Sequence, residues 1–132
     1  MDLERYRLRR FLESLPPHEL QRVAEPVELA DVAALHEGNT KALWCHAAGG
    51  AELAANVVAS RSRLALAFDT TPDRLLAEVL ARLARLQPVV EVTQAPAQAV
   101  VERDPDLTEL PVYLQHGFDG APYISASIDF AH

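Results

Sequence analysis

The amino-acid sequence predicts an α/β fold, with α+β as the alternative, in which helices flank a mixed β-sheet. Segments with the apolar spacing of amphipathic helices alternate along the chain with short apolar runs that are typical of strands. Prolines and glycines separate these segments at short intervals. Hydrophobic residues make up 49% of the 132 residues, so the chain can bury a core. Together these observations predict a layered domain with helices packed on a sheet.

Composition and charge exclude several classes of protein. The formal net charge of −7 argues against a nucleic-acid-binding module, which normally carries a clustered basic surface. The only cysteine, Cys45, excludes an intrachain disulfide and fits a reducing compartment. The sequence contains no apolar run near the ~20 residues of a membrane span, and residues 1–6 lack the apolar core of a secretory signal. We therefore expect a cytoplasmic protein.

The first third of the chain is predicted to contain two helices and two short strands. Apolar spacing predicts helices at 8–15 and 27–35, and Pro16-Pro17 ends the first of them. Short apolar runs predict strands at 20–23 and 42–45. The pair Gly49-Gly50 after the second strand indicates a turn, because the further glycines of a phosphate-binding loop are absent.

The next segment combines a predicted helix start with two arginines. Val57 and Val58 are predicted to end a strand, Ser60 to cap a helix, and residues 64–68 to form that helix. Arg61 and Arg63 fall in its first turn, where the helix dipole disfavours cations. We therefore expect them to pair either with a carboxylate or phosphate of a ligand or with a carboxylate within the chain, and we favour the internal ion pair.

The strongest helical pattern follows at 71–86. Thr71 is the predicted N-cap and Pro72 the first helical residue. The predicted core stripe comprises Leu75, Leu76, Val79, Leu80, Leu83 and Leu86, and the opposite face carries Arg74, Glu78, Arg82 and Arg85. We interpret this helix as a packing element without a chemical role.

Short strands and turns are predicted for the remainder. Residues 89–92 and 99–102 have strand composition, and the turn at 104–111 is expected to direct Leu107 and Leu110 inward. From Tyr123 to Phe130 polar and apolar residues alternate, which predicts a half-buried strand. This predicted strand ends at Phe130, two residues before the last residue of the sequence, His132. We therefore expect it to enter a structure that this chain does not contain.

Several motifs resemble the N-terminal domain of the UbiD family of prenylated-flavin-dependent decarboxylases. The most specific are Asp106-Leu107-Thr108-Glu109-Leu110-Pro111 and Asp119-Gly120-Ala121-Pro122-Tyr123-Ile124. Segments 8–12, 20–27, 56–65 and 97–101 are similar to further motifs of the family, in the same order. Ala55, Ala59 and Ala121 stand where the family usually has glycine, so a ligand contact by the 55–59 segment is in doubt.

The resemblance implies a single N-terminal domain over 1–132, with 119–132 as a strand that enters an absent flavin-binding domain. It implies reversible decarboxylation of aromatic or α,β-unsaturated carboxylic acids with prenylated FMN, and a divalent metal, manganese or magnesium, on the cofactor phosphate. In the family the catalytic Glu-Arg-Glu set lies downstream, so this chain holds no catalytic residue and is expected to bind neither cofactor alone. The residues that the resemblance places nearest to substrate are Ser125, Ala126 and Ser127, although that strand face could instead meet the next domain.

The implied partners are the flavin-binding domain or subunit and a flavin prenyltransferase that supplies the cofactor, in a homo- or hetero-oligomer. Three hypotheses stay open: one subunit of a split decarboxylase, an N-terminal fragment of a longer enzyme, or a non-catalytic binding or scaffolding module. A metal site within the chain is not expected, because the five histidines have no ligand spacing and Cys45 has no partner cysteine.

Overall fold

The computed structural model describes residues 6–95, 98–112, 114 and 118–121. Its elements, in chain order, are α1 (Leu8–Ser14), β1 (Leu20–Val23), a 3-10 turn (Leu29–Asp31), α2 (Val32–His36), β2 (Ala42–Ala48), β3 (Ala51–Ala55), α3 (Arg61–Ala67), α4 (Leu75–Leu83) and a second 3-10 turn (Leu107–Glu109). Helices and a mixed sheet confirm the predicted α/β class. No helix within the described ranges is long and apolar enough to cross a lipid bilayer.

The sheet has the strand order β1-β2-β3, with one parallel and one antiparallel pair. In the parallel pair Leu20 lies opposite Ala42, and in the antiparallel pair Leu43 lies opposite Ala55. A two-residue turn joins β2 to β3, and its glycines have φ values of +56° at Gly49 and +83° at Gly50. These positive values are the ones that a tight hairpin of this kind requires.

β3 corrects the sequence-based assignment, which ended a strand at Val57 and Val58 instead. The observed strand, Ala51–Ala55, has no β-branched or aromatic residue, so its composition gives no strand signal. The preceding hairpin turn and the pairing with β2 produce the strand. β2 itself continues to Ala48, three residues beyond the predicted end at Cys45.

The core consists of two clusters on opposite faces of the sheet. One cluster lies beneath α2 and comprises Val32, Leu43, Cys45, Ala48, Leu53 and Ala55. The other lies beneath α1 and comprises Leu12, Leu15, Leu20, Ala42 and Trp44. The central strand β2 is therefore covered on both sides, which explains its continuous apolar run.

Three helices begin at residues other than those predicted. α2 begins at Val32 rather than at residue 27, after the 3-10 turn at Leu29–Asp31. Ser60 is the N-cap of α3 as expected, but the helix spans Arg61–Ala67 rather than 64–68. α4 begins at Leu75 and not at Pro72, because Thr71 closes a turn by accepting a backbone hydrogen bond from Arg74 at 3.0 Å.

The predicted core stripe of α4 is only partly buried. Leu75 is buried, but Leu76, Leu80 and Leu83 are 63%, 57% and 60% exposed. Leu86, beyond the end of the helix, is exposed as well. Apolar spacing identified a helix with a broad apolar surface, and α3 covers only one side of it.

The segments after α4 also differ from their predictions. The described residues at 89–92 and 99–102 form no strand, because a strand needs a hydrogen-bonded neighbour and the three-stranded sheet does not pair with them. Leu107 and Leu110 are exposed rather than directed inward. The predicted strand at 123–130 lies outside the described residues.

Candidate functional site

The strongest polar constellation surrounds Arg63, whose side chain is 1% exposed in the first turn of α3. Its Nη1 donates to Glu19 Oε2 at 2.7 Å and to the carbonyl of Thr40 at 2.9 Å. Its Nη2 donates to the carbonyl of Asn56, and its Nε to that of Val57, both at 3.0 Å. Each guanidinium nitrogen thus has a protein acceptor, which is the condition for burying an arginine.

Asn56 is the second member of this constellation. It has a φ of +57°, a left-handed conformation that asparagine tolerates better than most residues. Its side-chain amide donates to the carbonyl of Lys41 at 2.8 Å and to that of Asn39 at 3.4 Å. The amide of Asn39 in turn donates to Gln21 Oε1 at 2.8 Å and to the carbonyl of Leu35 at 3.1 Å. The network therefore ties the end of β3 to the segment that leads into β2.

Ser60 completes the network as the N-cap of α3. Its hydroxyl accepts from the backbone N–H of Arg63 at 3.3 Å and donates to Glu19 Oε2 at 3.4 Å. Glu19 immediately precedes β1, so one carboxylate joins the start of the first strand to the start of α3. We call Glu19, Asn56, Ser60 and Arg63 the junction network.

The junction network confirms the internal ion pair that the sequence favoured for Arg63. Arg61, the other arginine of the pair, is exposed and its Nε donates to the carbonyl of Pro72 at 2.9 Å. Asn56, Ser60, Arg61 and Arg63 of the 56–65 segment are therefore all hydrogen-bonded to the protein itself. This segment therefore has a structural role, because its hydrogen bonds join β1, β2, β3 and α3.

A second polar cluster borders a cavity of about 200 Å³ between α1 and the sheet. The indole N–H of Trp44 donates to Glu52 Oε1 at 2.7 Å, and Arg9 forms an ion pair with Glu52 Oε2. The Arg22 guanidinium lies 4.3 Å from the Trp44 ring centroid, and His46 Nδ1 lies 3.8 Å from Glu52 Oε1. The cavity is lined by Leu8, Arg9, Leu12, Trp44, Glu52 and Ala54.

Sequence reasoning missed the second cluster. No pattern in the sequence indicated that Arg9 of α1 pairs with Glu52 of β3. Glu52 carries no motif signal, because its neighbours are evident only after β3 has been placed beside β2. Both carboxylate oxygens already accept from side chains, so the cluster fastens α1 to the sheet and presents no unpaired acceptor to a ligand.

The junction network does not fit the flavin phosphate that the family resemblance implies. A phosphate requires cations or N–H donors, and the buried guanidinium of Arg63 is fully engaged by protein oxygens. Within the described ranges no three His, Cys, Asp or Glu side chains lie close enough together to hold a metal ion. Burial raises the pKa of the Cys45 thiol, which keeps it in the protonated form that binds metals poorly.

The three residues predicted to approach substrate, Ser125, Ala126 and Ser127, lie in 122–132, outside the described residues. Their role remains a prediction. The described part contains the sheet, the junction network and the Trp44–Glu52 cluster.

Comparison with curated proteins finds an anhydromevalonate phosphate decarboxylase of Methanosarcina mazei that is 29% identical over 114 residues. The match covers 83% of this chain and 25% of that protein. The chain therefore spans about a quarter of the length of the curated relative that it matches.

A family model described as the 3-octaprenyl-4-hydroxybenzoate carboxy-lyase N-terminal domain matches residues 17–83, just over half of the chain. The matched range runs from the residues before β1 to the last residue of α4, and it includes the whole junction network. The domain that this network holds together is thus the one that the family model describes. The chain belongs to the UbiD family, within which it matches the carboxy-lyase N-terminal domain.

Proposed function

We propose that this chain is the N-terminal domain or small subunit of a UbiD-like carboxy-lyase. The complete enzyme reversibly decarboxylates aromatic or α,β-unsaturated carboxylic acids with prenylated FMN. The observation that carries the proposal is the family match over 17–83, because it covers the whole sheet and most of both core clusters rather than an isolated motif. The decarboxylase from Methanosarcina mazei supports the same class of reaction.

In this proposal the chain supplies a scaffold and the next domain or subunit supplies the chemistry. Prenylated FMN bound there would supply an electron sink for decarboxylation, with manganese or magnesium as the divalent metal of the cofactor phosphate. A flavin prenyltransferase supplies the cofactor, and the enzyme assembles as an oligomer in the cytoplasm. Ser125, Ala126 and Ser127 contribute to the substrate side of the pocket.

The relative's name identifies a first group of compounds to test. It denotes a decarboxylase that acts on anhydromevalonate phosphate, a small acid that also carries a phosphate. We therefore propose small unsaturated acids, with and without a phosphate group, as the first substrates to test against aromatic acids.

The test compares the isolated 132-residue chain with the natural protein purified from its own cells. Native mass spectrometry of that untagged protein determines whether the chain is part of a larger polypeptide or travels with one. Absorption spectra report the flavin, and carbon dioxide release reports activity. We expect the complete protein to be coloured and active, and the 132-residue chain to be colourless and inactive.

Two results would contradict the proposal. Retention of a yellow cofactor by the 132-residue chain would show that no second domain is needed for binding. A colourless protein that travels alone at the mass of 132 residues would favour the binding or scaffolding module instead.

A further inference from the structure

One side of α4 carries only leucine and alanine, and all of it is exposed. We call this surface the Leu–Ala face; it comprises Leu76, Ala77, Leu80, Ala81, Leu83 and Ala84. With 3.6 residues per turn these positions form one continuous stripe along the helix. The charged residues of α4 and its flanks occupy the remaining side, namely Arg74, Glu78, Arg82 and Arg85.

Contacts on the other side of α4 fix the direction of the Leu–Ala face. Leu75 is buried, and the Arg82 guanidinium donates to the carbonyl of Phe68 at 2.6 Å while it lies 5.0 Å from the Phe68 ring centroid. Glu78 accepts from Arg82 Nε at 2.8 Å, which holds that side chain in place. Rotation of α4 that buried the leucines would break these contacts, so the helix presents the face outward.

Exposure of this kind indicates a contact surface. Leu76, Leu80 and Leu83 are each more than half exposed, and the apolar exposure continues beyond the helix at Leu86 and Val89. Contiguous apolar surface rimmed by polar residues is typical of interaction sites. The alanines beside the leucines let a second backbone approach closely, to the ~8–10 Å that separates packed helix axes.

The size of the face distinguishes between possible occupants. α4 has nine residues, which makes the face about 14 Å long and about 10 Å wide. This is well below the roughly 800 Å² per partner that a stable dimer of two copies needs. A contact between two parts of one enzyme can be this small, because the covalent chain or other contacts already hold the two parts together.

The comparisons indicate which partner is available. The family model ends at the last residue of α4, so the helix belongs to the family's N-terminal domain. The Methanosarcina mazei decarboxylase is about four times as long as the part that matches this chain. We propose that the Leu–Ala face docks on an uncharged apolar surface of the catalytic part of the decarboxylase, the part that this chain does not span. This inference rests on the proposed function.

Thiol labelling of the complete protein tests the docking. Leu80→Cys and Leu83→Cys place a thiol on the face, and Val58→Cys places one at a site that is 69% exposed and lies outside α4. Cys45 is buried and gives little background from this chain. Maleimide labelling rates are measured by peptide mass spectrometry in the native protein and again after denaturation, and native mass spectrometry at two concentrations reports self-association.

We expect the native labelling rate at positions 80 and 83 to be at least tenfold lower than at position 58, and the three rates to become equal on denaturation. Equal native rates at all three positions would overturn the inference. Protection that disappears on dilution together with a dimeric mass would also overturn it, and would assign the face to a second copy. A protein without a further domain or subunit would leave the face no catalytic partner and would overturn it as well.

Flavin content and carbon dioxide release are measured on the same preparation, so the two proposals can fail separately. An active, flavin-containing protein with unprotected thiols at 80 and 83 contradicts the docking alone. A protein with protected thiols that contains no flavin and releases no carbon dioxide contradicts the proposed decarboxylase function while the contact stands.

Discussion

At the scale of single residues, Arg63 is the most deeply buried cation in the part of the chain that the structure describes. It sits in the first turn of α3, where the helix dipole disfavours a positive charge. Glu19 and three backbone carbonyls offset that disadvantage. Because four partners from separate parts of the chain meet on one side chain, the effect of Arg63 on folding should exceed that of any exposed arginine.

We predict that Arg63→Met lowers the free energy of unfolding by about 3–5 kcal/mol, the usual cost of removing one partner of a buried ion pair. The substitution retains much of the side-chain volume but leaves the Glu19 carboxylate and three carbonyls without their donor. Urea denaturation followed by Trp44 fluorescence measures the change.

Arg61→Met is the matched control, because that arginine is exposed and makes one hydrogen bond to a carbonyl. We expect it to cost less than about 1 kcal/mol. Adding Glu19→Gln to Arg63→Met should restore part of the loss, since no buried charge is then left unpaired. Equal effects of the two arginine substitutions would show that the junction network does not stabilise the domain.

The sequence predicted the kind of interaction that Arg63 makes but not its partner. A cation in the first turn of a helix requires compensation, and this physical conflict is visible in the sequence alone. The identity of Glu19 is not, because 44 positions separate the two residues and the pairing of β1, β2 and β3 brings them together. The partners of Glu52 could not be predicted for the same reason, because the pairing of β2 with β3 brings them together.

A second residue-scale prediction concerns the pH dependence of stability at His36. Burial lowers the pKa of this histidine below its ordinary value of about 6.5. The unfolded chain then binds a proton more readily than the folded one, so stability present above about pH 6.5 is lost as the pH falls towards the folded pKa.

We expect the free energy of unfolding of the unsubstituted chain to fall more steeply from pH 7.5 to pH 5 than that of His36→Gln. His18→Gln, at an exposed histidine, is the matched control. Parallel pH profiles for the unsubstituted chain and His36→Gln would contradict the prediction.

At the scale of elements, the turn between β2 and β3 depends on two glycines for different reasons. Both have positive φ, but a Cβ at Gly49 would lie 2.6 Å from Leu29 Cγ, whereas a Cβ at Gly50 would meet nothing within 4 Å. The left-handed conformation costs an alanine about 1–2 kcal/mol at either site. Overlap with Leu29 adds about 1–3 kcal/mol at Gly49 alone.

We therefore predict that Gly49→Ala lowers the free energy of unfolding more than Gly50→Ala, by about 1 kcal/mol or more, in urea denaturation. Gly50→Ala is the control for backbone strain. Leu29→Ala should reduce the difference between the two glycine variants, because it removes the atoms in conflict. A difference unchanged by Leu29→Ala would indicate a cause other than this overlap.

Helices and strands were predicted correctly where the sequence pattern reflects local structure. The prediction failed where an element forms only by pairing or packing with another element. Periodicity located α1 and α4, and Ser60 marked the start of α3. The composition of β3 gave no strand signal, since pairing across the hairpin makes it a strand. In α4 the apolar residues predicted a buried stripe, but the described chain covers only the Leu75 side.

At the scale of the whole molecule, the folded core lies in the first half of the chain. Both core clusters and their packed neighbours fall between Phe11 and Val57, and Arg63 extends this unit to α3. The described residues after α4 have exposed apolar side chains, among them Val89, Val100 and Val101. Among the described residues at 98–112, the backbone hydrogen bonds close local turns. The family match covers this packed part from residue 17 onward and continues to the end of α4 at residue 83.

This division predicts the order in which a protease cuts the chain. Thermolysin cleaves before apolar residues and needs a locally extended backbone. Among the described residues, the first cuts in the 132-residue chain should therefore fall at 87–95 and 98–112, leaving a resistant fragment that ends near Leu86. Time-resolved mass spectrometry of the fragments measures the order.

Arg63→Met is the positive control, because its weakened core should be cut in β2 and β3 at a rate closer to that of the 87–112 segment. If β2 of the unsubstituted chain were cut as early as residues 87–112, the two core clusters would not form the stable unit that their burial indicates. In the complete protein, slower cutting at 87–112 would show that this segment is covered there as well.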